Sequence, residues 1–134
     1  MTGLIHLRAA GHGIPQRIDW PLRAAVAASL VVSAVVHLLL WLDGFDSIPW
    51  IGPLFMVNVA AGFALAVAVL VWRHWLPLVG AVGFGLATLV AFVLSATVGL
   101  LGVHETWSGT YQVTAAVAEL VSVVGGVFAL LRER

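Results

Sequence analysis

The chain is 134 residues long, 62% hydrophobic and only 9% charged, with a mean hydropathy of +1.10. Soluble domains average about 45–50% apolar and about 25% charged residues, so this composition excludes a water-soluble globular protein. Six arginines balance six acids, and neither lysine nor cysteine occurs. Nucleic-acid binding therefore has no basic footprint, and disulfides, thiolate metal sites and thiol redox chemistry are ruled out.

In chain order, residues 1–23 read as an N-terminal arm at the membrane surface. Gly11, Gly13 and Pro15 interrupt it, and a helical turn or two fits around Leu4 to Ala10. The first apolar run, Ala24–Leu42, holds no Asp, Glu, Lys or Arg, and about twenty such residues cross a hydrocarbon core as a helix. A cleavable signal peptide has an apolar region of about 7–15 residues ending at a small-residue site. This run continues through Val36 into HLLLWL, so an uncleaved span is expected.

The second run, Ile51–Trp72, is entered through Pro49, Gly52 and Pro53, and proline is tolerated in a first helical turn. RHWLP (Arg73 to Pro77) is a tight turn, and the third run, Leu78–Val103, is the longest. HETWSGTYQ separates it from the fourth run, Val113–Leu131, which closes on RER at 132–134. Four spans joined by short loops predict an all-α polytopic membrane protein, an antiparallel four-helix transmembrane bundle. With an even number of spans, all six arginines fall on one side, while Asp43, Asp46 and Glu105 fall on the other. The positive-inside rule then places both termini and the RHWLP turn in the cytoplasm of a plasma-membrane protein. Trp20, Trp72 and Trp75 mark the inner interface; Trp41, Trp50 and Trp107 mark the outer one.

Small residues recur along each span: Ala25, Ser29 and Ser33 leading to His37 in the first, Gly83, Ala87, Ala91, Ser95 and Gly99 in the third. Asn58, Gly62 and Ala66 form a row in the second, and Ala115, Glu119, Ser122 and Gly126 in the fourth. Such rows let helix backbones approach closely, within the bundle or in a homo-oligomer.

Four polar residues share a depth. His37, Asn58, Ser95 and Glu119 sit five to eight residues inside the outer ends of their spans, which is roughly 8–12 Å at the helical rise. An ionisable side chain there is a functional-site hypothesis by default. A hydrogen-bonded cluster that fixes helix register is one reading. The other is an outward-facing site for a proton, cation or small ligand, with His37 and Glu119 as its titrating pair. In the outer loops, Asp43, Asp46, His104 and Glu105 are possible additional ligands, but their spacing matches no metal motif. A bis-histidine haem would need His37 and His104, whose depths differ by most of two turns. His6, His12 and His74 read as surface residues on the inner side. No nucleophile triad, phosphate loop or HExxH is present.

The first hairpin resembles a pattern of small, uncharacterised four-span bacterial membrane proteins: a His-x-x-Leu-Trp-x-x-Gly segment followed by Ile-Pro-x-Ile-Gly-Pro-Leu-Phe and an amide residue. Here it is carried by His37, Leu40, Trp41, Gly44, Ile48, Pro49, Ile51, Gly52, Pro53, Leu54, Phe55 and Asn58. The resemblance implies a four-span fold and no particular activity. The functional expectation is a non-catalytic accessory or binding module in the lipid bilayer, alone, as a homo-oligomer or in a larger membrane complex. The alternative is a small proton- or cation-coupled transporter or channel subunit that works as an oligomer. No cofactor is implied.

Overall fold

The computed structural model describes residues 17–134, and the expected arm features at residues 1–16, including His6, Arg8 and His12, lie outside them. The described residues form four helices: α1 (Trp20–Leu42), α2 (Ile51–Val71), α3 (Leu76–Thr97) and α4 (Thr110–Arg132). A single 3₁₀ turn, Phe45–Ser47, follows α1, and there are no strands among the described residues. Each helix is apolar throughout and has 21 to 23 residues. At about 1.5 Å per residue, that is enough to cross a bilayer core of about 30 Å.

Helix α1 starts earlier than its apolar run because Asp19 caps it, its carboxylate accepting from the Leu22 amide at 3.1 Å. Pro21 occupies the first turn, where its missing N–H leaves no intrahelical bond unmade. Helix α3 stops at Thr97 rather than running to Val103. Its terminator is Gly99, at φ +85°, whose amide donates to the Leu94 carbonyl. Glycine takes that left-handed conformation without the Cβ penalty other residues meet. The following residues fold back in a tight turn in which Leu100 and Val103 exchange both backbone hydrogen bonds at 2.9 Å.

Consecutive helices are antiparallel, and α1 lies between α2 and α4, while α3 packs on α4. The core near the α2–α3 turn is built from Val26, Leu30, Ala66, Val69, Leu78 and Ala129. On α3 the contact with α4 runs through Leu78, Ala81 and Gly85 and not through the Gly83 row. A methyl on Gly85 would lie 2.7 Å from the Glu119 carbonyl oxygen, whereas one on Gly83 would meet nothing within 4 Å. Large apolar side chains cover the outside, Val71, Val117 and Phe128 among them. That surface suits hydrocarbon, where no hydrophobic gain follows from hiding it.

The end that holds the α2–α3 turn is locked by an ion pair that sequence reasoning divides between a flanking arm and a tail. Arg23 is fully buried, and all five of its N–H groups are used. Nε and one terminal nitrogen donate to the two oxygens of Glu133, each at 2.8 Å. The remaining donors reach the carbonyls of Val69, Trp72 and His74 at 2.8–3.1 Å. The Val69 carbonyl belongs to the last turn of α2, whose carbonyls lack intrahelical donors, and Trp72 is the residue that caps it. Arg23 and Glu133 are thus bundle residues, and one guanidinium joins α1, α2, the turn and α4. Trp20, Trp72 and Trp75 ring this end, and Trp50 and Trp107 are exposed at the other.

Candidate functional site

Three walls of the bundle are closed and the fourth is not. Helices α2 and α3 touch near their shared turn, where Gly80 faces Leu65 and Gly62 faces Phe84. Beyond that point they pack sparsely, and the space between them is a cavity of 340 Å³. Ligand pockets span about 300–1,000 Å³, so this one is small but of that class. Its walls are largely apolar and aromatic, with Phe55 on α2 and Phe84 and Phe92 on α3.

All four residues of the predicted polar layer line this cavity: His37 from α1, Asn58 from α2, Ser95 from α3 and Glu119 from α4. Asn58 lies on the inward face of α2 with Gly62 and Ala66, and Glu119 on that of α4 with Ala115, Ser122 and Gly126. Their local bonding divides Ser95 from the pair Asn58 and Glu119 and leaves His37 apart from both.

Ser95 is committed to structure. Its hydroxyl donates to the Val103 carbonyl at 3.0 Å and accepts from the Glu105 amide at 3.2 Å, pinning the α3–α4 loop onto α3. Of Asp43, Asp46 and Glu105, only Glu105 is in the cavity wall, where it accepts from the Gln112 side-chain amide at 2.8 Å. Asp43, Asp46 and His104 are exposed and outside the cavity. Among the described residues no three His or acidic side chains converge on a common point.

Asn58 and Glu119 form the other group. Both are buried, and each keeps one oxygen, Asn58 Oδ1 and Glu119 Oε2, with no hydrogen-bond partner among the described residues. Almost all buried polar atoms in native proteins are paired, so each exception calls for an explanation. For Glu119 the only bond is a long one, from the Ser33 hydroxyl to Oε1 at 3.3 Å. A buried carboxylate so thinly partnered is costly by several kcal/mol unless something else reaches it.

His37 and Glu119 do not hydrogen-bond to each other. Ser33 stands between them instead. His37 Nδ1 lies 2.8 Å from the Ser33 carbonyl, while the Ser33 hydroxyl faces Glu119. A carbonyl only accepts, so Nδ1 carries the proton and Nε2 is left as the acceptor of the neutral ring. The ring stands edge-on to Phe55 at 5.0 Å. Sequence reasoning placed Ser33 in a packing row; its position one turn from His37 on the same face was the available signal. Thr88, also in the cavity wall, directs its hydroxyl to the Phe84 and Gly85 carbonyls of its own helix.

No protein-family model, curated protein or solved structure matches this chain. The chemistry of the site rests on its own geometry.

Proposed function

We propose that this protein is a non-catalytic binding module of the plasma membrane, whose α2–α3 cavity takes a small, mainly apolar ligand by its polar end. The observation that carries the reading is the pair of unpartnered buried oxygens, Asn58 Oδ1 and Glu119 Oε2, on an otherwise apolar cavity of 340 Å³. A ligand with hydrogen-bond donors at one end satisfies both oxygens and fills the aromatic part. Catalysis has little support among the described residues, since Ser33, Thr88 and Ser95 each have their hydroxyls engaged. Conduction is the weaker alternative. Below Glu119 the polar column continues only to Ser29 and Ser122, 2.7 Å apart, before Val26, Leu30 and Leu78 close the core.

The same proposal sets the orientation. Arg73, Arg132 and Arg134 gather at the end clamped by Arg23, and Asp43, Asp46 and Glu105 at the other. The positive-inside rule makes the arginine end cytoplasmic, which puts the cavity in the outer half of the membrane.

Native mass spectrometry of the protein extracted in a mild detergent tests the binding reading. A co-purifying small mass is expected, lost in Ala91→Phe, which fills the cavity wall. A bare wild-type protein that Ala91→Phe only stabilises would refute it.

A further inference from the structure

The cavity also has a sign. Glu119 and Glu105 both line it, and among the described residues no arginine does. The cations at the other end are occupied or distant: Arg23 spends every donor on the clamp, and Arg132 lies 3.3 Å from Asp19. Among the described residues, three acceptors are free there. Glu119 Oε2 and Asn58 Oδ1 have no partner, and His37 keeps Nε2 as the acceptor once Nδ1 donates to the Ser33 carbonyl. An anionic headgroup would meet like charge from Glu119 and only the neutral Asn58 side-chain amide as a donor. A primary ammonium instead carries three donors, one for each of these acceptors. The aromatic wall formed by Phe55, Phe84 and Phe92 adds a surface that attracts cations as well as apolar groups.

Size narrows the class further. A cavity of about 150 Å³ accommodates benzene, so 340 Å³ suits a ligand on the order of a dozen heavy atoms. A compact inorganic ion would leave most of that volume and all of the aromatic wall unused. The opening between α2 and α3 is rimmed by the exposed apolar Leu54 and Val57 on its side, while Leu100, Val103 and Glu105 of the α3–α4 loop line its end.

Resting on the binding reading above, we infer that the ligand is a lipophilic amine. It enters sideways from the outer leaflet between α2 and α3 and is held as its ammonium by Glu119 and Asn58.

The test uses three near-isosteric probes of different charge, phenylbutylamine, phenylbutanol and phenylbutyrate, titrated calorimetrically into the purified full chain in detergent. The amine is expected to bind wild type and to bind Glu119→Gln about tenfold more weakly, for the loss of a charge-assisted hydrogen bond. The alcohol is expected to bind both alike and the carboxylate neither. Asn58→Asp adds a second acid and is expected to tighten the amine alone, which serves if Glu119→Gln does not fold. Equal binding of amine and alcohol, unmoved by either substitution, would overturn the amine while leaving the binding module standing. If none of the probes binds wild type, or only the carboxylate does, the amine is likewise overturned. The native mass spectrum and Ala91→Phe then decide whether the module falls with it.

Discussion

Replacing Arg23 with methionine keeps most of the aliphatic stem and removes all five donors of the buried clamp. The two bonds to Glu133 at 2.8 Å are charge-assisted and contribute about 1.5–3 kcal/mol each. The three bonds to Val69, Trp72 and His74 end on carbonyls close to the bundle end, where water can take over part of the role. The dominant penalty is the Glu133 carboxylate, only 3% exposed and left with the Asp19 amide at 2.9 Å as its one donor among the described residues. Breaking a buried pair from one side costs about 3–5 kcal/mol, and that is the expected loss for Arg23→Met. The assay is reversible unfolding in mixed micelles at rising SDS fraction, followed by circular dichroism. Arg23→Met/Glu133→Leu, which leaves no buried charge, is expected to recover part of the loss, with a coupling energy of about 2–3 kcal/mol in the double-mutant cycle. A single variant within about 0.5 kcal/mol of wild type, or strictly additive substitutions, would refute the clamp.

Two alanine substitutions on α3 distinguish its faces. Gly85→Ala sets a methyl 2.7 Å from the Glu119 carbonyl and 2.8 Å from Val123 Cγ2, and is expected to destabilise by about 1–3 kcal/mol. Gly83→Ala, with open space around it, is expected to gain about 0.5–1 kcal/mol from helix propensity. The opposite order in the same SDS titration would move the α3–α4 contact to the Gly83 row. Ser95→Ala removes the hydroxyl that holds Val103 and Glu105. The Ser95 carbonyl still accepts from the Glu105 amide at 3.2 Å, so exchange there should accelerate by at most about fivefold, for about 1 kcal/mol; unchanged protection would mean that this backbone bond alone holds the loop. Because the chain has no cysteine, single introduced thiols report orientation directly. An impermeant maleimide applied to intact cells is expected to label Ser47→Cys and Ser108→Cys but not Arg134→Cys, and the reverse pattern would invert the proposed topology.

Hydropathy made the four helices legible, because runs free of charge for about twenty residues have few alternatives. Depth counting found four cavity-lining side chains, since helical rise converts residue offsets into distance wherever helices are straight and antiparallel. Local chemistry resisted the same treatment. Ser95 was grouped with the free polar residues, yet its partners lie in a loop created by the early stop at Gly99. Ser33 was lost among packing serines because only the facing helix reveals that its hydroxyl meets Glu119. The Arg23–Glu133 pair was out of reach for another reason. Its members are 110 positions apart, and both sit where apolar periodicity ends and charges are usually solvated.

The unclosed wall between α2 and α3 changes what an unoccupied site means. With Leu54 and Val57 50% and 63% exposed at its rim, the sideways entry proposed above gives the slot acyl chains and not water as its surrounding medium. Lipid tails are as apolar as the cavity wall, so moving an apolar group from bilayer to slot gains almost nothing. Every ligand competes with an acyl chain that is always present at high concentration and makes no use of Glu119 or Asn58. Selection among membrane-dissolved molecules therefore falls to the polar floor, and apparent affinity will track the lipid in which the protein is measured.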